Sequence, residues 1–412
     1  MSTDPAPRPI PRRALLPLIL ATALPSVPRE AGAQPAAGTA TRPLANAVTE
    51  LGDWLLAELG LRRSLPSFAL SPFNLHGTLA LLALGAPPRQ SAPLARSLGL
   101  DPARIDARAD ALARLRGLAT AANGPEARIS IGYSAWCRQT RRFEQPWRDM
   151  VRRAGGARLG RLDFASPSAA ETVNAWSARA TQGEIPRLVD RLPRDADLVL
   201  AGAVHFAGRW ETPFREEATE MAPFHRLDGS TVGVPMMRQR LRAHHGTADG
   251  ARILRLPYAG GRLAFWAAAA ERVEDSAAFL ARVAAAGPGR WLQAQALRAV
   301  EVEVTLPRFT LRAGGDVLPA IAAAESGRSL AGELRGVISR PVRLSEVQHH
   351  TRIRVFEEGT VAAAATAALA SRGMRQTEEF LADRPFIFAI GPTAGWLPLF
   401  IGQVSDASQT LA

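Results

Sequence analysis

Residues 357–371 constrain the chain more than any other stretch. They read Glu357-Glu358-Gly359-Thr360-Val361-Ala362-Ala363-Ala364-Ala365-Thr366-Ala367-Ala368-Leu369-Ala370-Ser371. Alanine favours helix, yet the run has no stripe of larger apolar residues for a helix to bury. As a strand it offers little to pack. It carries no charge after Glu358 and contains no proline. Small side chains at alternate positions (Thr360, Ala362, Ala364, Thr366, Ala368, Ala370) would share one face of a strand. Such a segment can sit exposed in one state and slide between crowded strands in another. A bulky or charged residue would block that entry. Taken alone, a surface helix or flexible linker is the better reading; the segments around the run reverse the order.

The chain has 412 residues, 47% of them hydrophobic and 21% charged, enough for a large core and too apolar for a disordered chain. One large domain or two ordinary ones would fit. The formal charge is +12, and all 50 basic residues are arginine, which points to coding bias rather than to a binding adaptation. The clusters Arg138 to Arg142 and Arg152-Arg153 lack interleaved aromatic residues, so no nucleic-acid partner is expected. Residues 1–33 read as an export signal. Arg12-Arg13 precede a short apolar core from Ala14 to Leu24, too short to span a membrane, and Ala31-Gly32-Ala33 offers a cleavage site. The arginine pair permits a twin-arginine route as readily as an ordinary Sec route. Cleavage would leave a mature charge of +10 and a chain that is secreted or periplasmic, with no membrane contact. A retained anchor is the rival. Residues 34–43 are small and proline-containing, a flexible linker ahead of one domain over 44–412.

Chemical signatures of an enzyme are missing. Cys137 is the only cysteine, so no intrachain disulfide is possible, and beside Trp136 it reads as a core residue. His244-His245 and His349-His350 are adjacent pairs that point apart in a strand, with no HExxH or Cys/His pattern to suggest a metal. There is no G-x-S-x-G elbow, P-loop or dinucleotide fingerprint. The sequence calls for no cofactor.

From Leu44 onward the pattern is globular. Ala47 to Leu61 has helical spacing; Phe68-Ala69-Leu70-Ser71-Pro72-Phe73-Asn74-Leu75 reads as a buried strand, a capping turn and the start of an apolar helix through Ala86. Ala127 to Arg138 alternates as a strand and Phe143 to Ala154 follows as a helix. Leu198 to Arg209 is a buried strand ended by Gly208 and anchored by Trp210. Arg252 to Pro257, Arg262 to Ala269 and Val300 to Leu311 continue as strands, and Pro385 to Ile390 with Leu397 to Val404 close the chain as two more.

These segments carry a resemblance to the serpins. Glu357-Glu358-Gly359-Thr360 with its small-residue run is similar to the hinge and reactive-centre loop of that family. Phe380 to Phe388 resembles the signature that follows the loop. Further likenesses are Ser71-Pro72 through Ala86, Asn174-Ala175-Trp176 with Thr181 to Ile185, Leu198 to Trp210, and Leu306-Pro307-Arg308-Phe309. Together they span about Leu44 to Ser408. The chain departs by carrying Asn74 for a usual serine, Gly202 for a usual asparagine, and a shortened, alanine-rich stretch between Gly314 and Val342.

The resemblance implies an α+β serpin fold, with three β-sheets, surrounding helices and an exposed loop at about 357–379. It also implies an inhibitor that is not an enzyme: a cleaved loop inserts into the central sheet and traps a serine protease as an acyl-enzyme, and the small, uncharged run after Glu358 favours this over a non-inhibitory member of the family.

 The partner implied is a serine protease, with a cysteine protease as the alternative target, and the inhibitor is expected to be a monomer. By the same resemblance, residues Glu357 to Thr366 would form the hinge. The family's usual loop count puts Gly373 before the cut and Met374 after it. A shift of one residue presents Arg372, suited to trypsin-like enzymes, or Met374, suited to chymotrypsin- or elastase-like ones; Arg375 is a further candidate, and Arg372 is preferred. Ser71, Asn74, Gly202, Trp210 and His349 map to the region where the central strands must part, and the asparagine missing at Gly202 is expected to leave His349 either less fully satisfied or bonded to water. A non-inhibitory carrier, chaperone or binding protein on the same fold is the alternative function.

Overall fold

The computed structural model describes residues 42–60, 67–85, 87–292, 297–323, 330, 332–360 and 378–408. The expected export signal and most of the expected linker lie outside these residues. In chain order the helices are α1 (Arg42–Gly60), α2 (Pro72–Ala83), α3 (Pro88–Ser97), α4 (Ile105–Ala121), α5 (Gln145–Arg153), α6 (Ser168–Ala180), α7 (Ser276–Ala286), α8 (Gly289–Leu292) and α9 (Leu318–Ala323). The strands are β1 (Ser67–Leu70), β2 (Ala127–Arg138), β3 (Arg158–Leu162), β4 (Leu198–Arg209), β5 (Thr219–His225), β6 (Thr231–Ala248), β7 (Ala251–Pro257) and β8 (Leu263–Ala270). They continue as β9 (Arg298–Pro307), β10 (Phe309–Asp316), β11 (Glu333–Leu334), β12 (Val342–Val355), β13 (Gly359–Thr360), β14 (Glu378–Leu381), β15 (Phe386–Pro392) and β16 (Phe400–Val404). Helix α1 begins two residues inside the expected linker, with Pro43 in its first turn, where the missing N–H costs nothing.

The strands form two hydrogen-bonded sheets among the described residues. One runs β10-β12-β4-β2-β3, with β11 on β12 and β13 on β4; the other runs β1-β16-β15-β8-β7-β6-β9-β14, with β5 on β6. Three sheets were expected, and the reason for two networks is β6. Its first residues pair with β5 and its last with β7, while β9 lies along its middle, so one unbroken strand joins two wings. The strand expected from Val300 to Leu311 divides at Arg308. Pro307 has no N–H to continue a ladder, so β9 ends there and β10 crosses into the other sheet. The last strand begins at Phe400 rather than Leu397.

Between the sheets lies α2. Ser71 caps it, its Oγ accepting from the Asn74 N–H at 3.1 Å, and Pro72 opens the first turn. Every residue of the helix is buried, as an apolar surface on all sides requires. Strand β4 is buried on both faces, and its alternation divides two cores. Leu198, Leu200, Val204 and Phe206 join the main core around α2. Val199, Ala201 and Ala203 face the opposite way, into a smaller core with Val173 and Trp176 of α6 and Ile185 just beyond it.

Candidate functional site

Two groups of residues surround the seam between β4 and β12, which pair in parallel from Leu198↔Leu344 to His205↔Arg352. The first lies midway along it. His349 is opposite Gly202, is 1% exposed, and turns toward the start of α2, where its Nε2 accepts the Ser71 N–H at 3.1 Å. Ser71 Oγ donates to the Leu399 carbonyl at 2.6 Å, and Thr351 Oγ1 donates to the Ala69 carbonyl at 2.6 Å. One end of α2 is thereby tied to β12 and to the segment before β16. Burial, with a smaller contribution from His350, pushes the His349 imidazole down to about 3, so it stays neutral.

Asn74 occupies the space that a side chain at 202 would need. A Cβ added to Gly202 would collide with Asn74 Oδ1 and Thr78 Oγ1. From α2, Asn74 Nδ2 reaches the Gly132 carbonyl of β2 at 3.3 Å and the Ala203 carbonyl of β4 at 3.4 Å. The polar amide expected from position 202 thus arrives from the helix instead. His349 Nδ1 and Asn74 Oδ1 have no protein hydrogen-bond partner among the described residues.

The second group holds the start of the hinge, at the far end of β4. Trp210 belongs here and not beside His349: it lies eight residues beyond Gly202, about 26 Å along an extended strand. Its Nε1 donates to the Phe356 carbonyl at 3.0 Å and its N–H to the Glu358 carbonyl at 2.9 Å. Phe356 and Gly359 bond to each other through both main-chain pairs, turning the chain back on itself after β12. Gly359 takes a φ of 150°, and any Cβ there would strike the Gly208 carbonyl, so only glycine fits. The turned chain then pairs antiparallel with β4, Gly359↔Arg209 and Thr360↔Gly208. Thr360 is fully buried, its hydroxyl 2.9 Å from that of Tyr258, and Tyr258 stacks on Trp210 with ring centroids 4.7 Å apart.

Glu357 anchors this turn. Its Oε1 accepts from Arg308 Nη2 at 2.5 Å and Thr219 Oγ1 at 2.6 Å, with the side chain only 3% exposed. Burial pushes the carboxyl up, but the bonds from Arg308 and Thr219 outweigh it and hold the group below the usual carboxylate range. On the other side of the loop, Glu378 of β14 meets His245 Nδ1 at 2.7 Å and Arg298 at 3.2 Å, and Glu379 lies 3.4 Å from Arg252. Both flanks of the loop are therefore fastened to strands. The hinge residues Val361, Ala362, Ala363, Ala364, Ala365 and Thr366 and the reactive-bond candidates Arg372, Gly373, Met374 and Arg375 lie outside the described residues. Sequence reading missed Tyr258 and Thr219. Only the rarity of tyrosine, two in the chain, sets Tyr258 apart, and no signal marks Thr219.

The comparisons with known proteins agree with this geometry. The family described as Serpin (serine protease inhibitor) matches residues 46–407. The leukocyte elastase inhibitor of Sus scrofa is 31% identical over 354 residues, covering 82% of this chain and 92% of that protein. The leukocyte elastase inhibitor of Bos taurus is 30% identical, with 82% and 92% covered. Among solved structures, Serpin48 of the insect Tenebrio molitor superposes with a TM-score of 0.78 at 23% identity, over 89% of this chain and 98% of that one. Human thyroxine-binding globulin in complex with its ligand superposes with a TM-score of 0.76 at 20% identity, over 89% and 99%. The fold is thus that of a class of protease inhibitors and not of enzymes. The chain belongs to the serpin family.

Proposed function

We propose that the chain is an exported inhibitor that traps a serine protease as a covalent acyl-enzyme, with Arg372 as the residue before the cut. The observation that carries this reading is β13. A buried Gly359-Thr360 pair already bonded to β4 is the first rung of a strand that can lengthen into the seam, each further residue adding a ladder hydrogen bond. The run Val361 to Ala365 contains no charged or large side chain to stop it. The curated relatives named above are inhibitors of leukocyte elastase, and that supports a serine protease as the target. The binding-protein alternative leans on the missing asparagine at Gly202 and on the altered stretch between Gly314 and Val342; Asn74 filling the first place weakens that part of its support.

The test is incubation of the mature protein with trypsin, elastase, subtilisin and a cysteine protease, read by denaturing electrophoresis and mass spectrometry. A complex that survives denaturation is expected, with a released C-terminal peptide that begins at Gly373. Cleavage with no complex and no gain in melting temperature would overturn the reading. Thr360→Arg is the matching control. It would place a bulky guanidinium at a fully buried position of the inserting strand, so the chain should be cleaved as a plain substrate.

A further inference from the structure

Strand β12 alternates. Val347, His349, Thr351, Ile353 and Val355 face the core, which leaves Arg352 and Arg354 on the opposite face, beneath the turn that follows α6. Glu184 in that turn meets both. Arg354 Nη2 donates to Glu184 Oε1 at 2.7 Å, Arg352 Nη1 donates to the Glu184 carbonyl at 3.2 Å, and the same Nη1 lies 3.2 Å from Oε2. The carboxylate side chain is 19% exposed and the two guanidinium side chains 22% and 33%.

The turn itself is fastened to the other side of the seam. Ile185 packs with Trp176, Val199, Ala201 and Ala203, in the core that α6 shares with β2 and β4. The Ile185 N–H donates to Thr181 Oγ1 and Ser177 Oγ to the Ile185 carbonyl, both at 2.9 Å, while Gln182 Nε2 reaches Ser130 of β2 at 3.4 Å. Glu184 is therefore carried by the β2–β4 side and grips β12 across the seam.

Its position along the seam is the second observation. Pairing of β12 with β4 stops at Arg352↔His205, and β13 occupies β4 at Gly208 and Arg209. The grip spans Arg352 and Arg354, at the fork between the strand pair that is closed and the strand that has begun to enter. Continuing the β13 register would place Ala363 opposite His205, which requires β12 to move aside by one strand spacing, about 4.8 Å. That displacement carries Arg352 and Arg354 beyond ion-pair reach of a carboxylate that stays with β4.

We propose that Glu184, Arg352 and Arg354 form a latch across the β4–β12 seam that must open before the loop inserts, and that this latch sets the rate of insertion. The proposal rests on the insertion reading given above. Because the latch is made in the closed sheet and broken in the opened one, it stabilises only the closed form. It slows both premature insertion of an uncleaved loop and insertion after cleavage.

The test compares the wild type with Glu184→Gln, and with Arg354→Gln in case the first variant folds poorly. Loop cleavage by excess subtilisin is followed by stopped-flow tryptophan fluorescence, Trp210 lying beside the hinge, and the phase independent of protease concentration is read as insertion. Melting temperatures are measured before and after cleavage. Either variant is expected to insert about threefold to tenfold faster, to melt lower before cleavage, and to match the wild type after it. Added salt should accelerate the wild type and leave Glu184→Gln little changed. Equal insertion rates, or equal losses of melting temperature before and after cleavage, would reduce the trio to an ordinary ion pair and overturn the latch alone. A wild type that gains no melting temperature on cleavage would overturn the insertion reading, and the latch with it.

Discussion

Asn74 and Gly202 work as a pair at the scale of single residues. A side chain at 202 has no room while Asn74 is in place, yet the Asn74 amide makes the contacts to β2 and β4 from the helix. Gly202→Asn alone should therefore destabilise the chain, whereas in an Asn74→Ser background it should be tolerated. Urea denaturation of the four chains should give a coupling energy of about 2 kcal/mol. Both departures from the family's usual residues could be read in the sequence, but their compensation could not, since it depends on two positions 128 residues apart meeting across the core. His349 makes a second prediction. Folded, its imidazole stays neutral down to about pH 3; unfolded, it takes a proton below about pH 6.5. Between those values the unfolded chain binds more protons, so stability falls as pH falls through that window. His349→Gln should make the slope of melting temperature against pH shallower there, although His76, held down to about 4 by burial, will keep part of it.

At the scale of elements, the hinge is held by contacts of quite different reach. The Tyr258 hydroxyl touches Thr360 directly, and Tyr258→Phe should cost about 1 kcal/mol in urea denaturation through that lost bond. The same substitution should loosen β13 and raise proteolytic nicking next to Thr360. The segments flanking the loop were legible, because Glu357 to Thr360 and Phe380 to Phe388 are local sequence patterns. The anchors were legible only in part. Arg308 stood inside a recognisable segment, but its role depends on the turn after Pro307 that aims it at Glu357. Trp210 was grouped with His349 in one strand-opening region, and that these residues sit at two separate places along β4 was not legible, since sequence order alone says nothing of which neighbour a residue meets eight positions along a strand.

For the whole molecule, alternation and turn residues foretold α1, α2 and α5 and the strands β1, β2, β4, β7, β8, β15 and β16, while α3, α4, α7 and β6 went unread; the apolar character of α2 was evident in the run after Ser71. Hidden from the sequence was the continuity of β6, because a strand that changes partners halfway carries the same alternating pattern as one that does not. The short strand β13 has a further consequence. Growth of any ordered strand divides into a costly nucleation and easier propagation, as it does for a helix. With Gly359 and Thr360 already seated, nucleation is complete before a protease arrives. On the inhibitory reading proposed above, the interval between cleavage and capture is then spent on opening the latch and on propagation, so a chain of this design would race its target from a start already made.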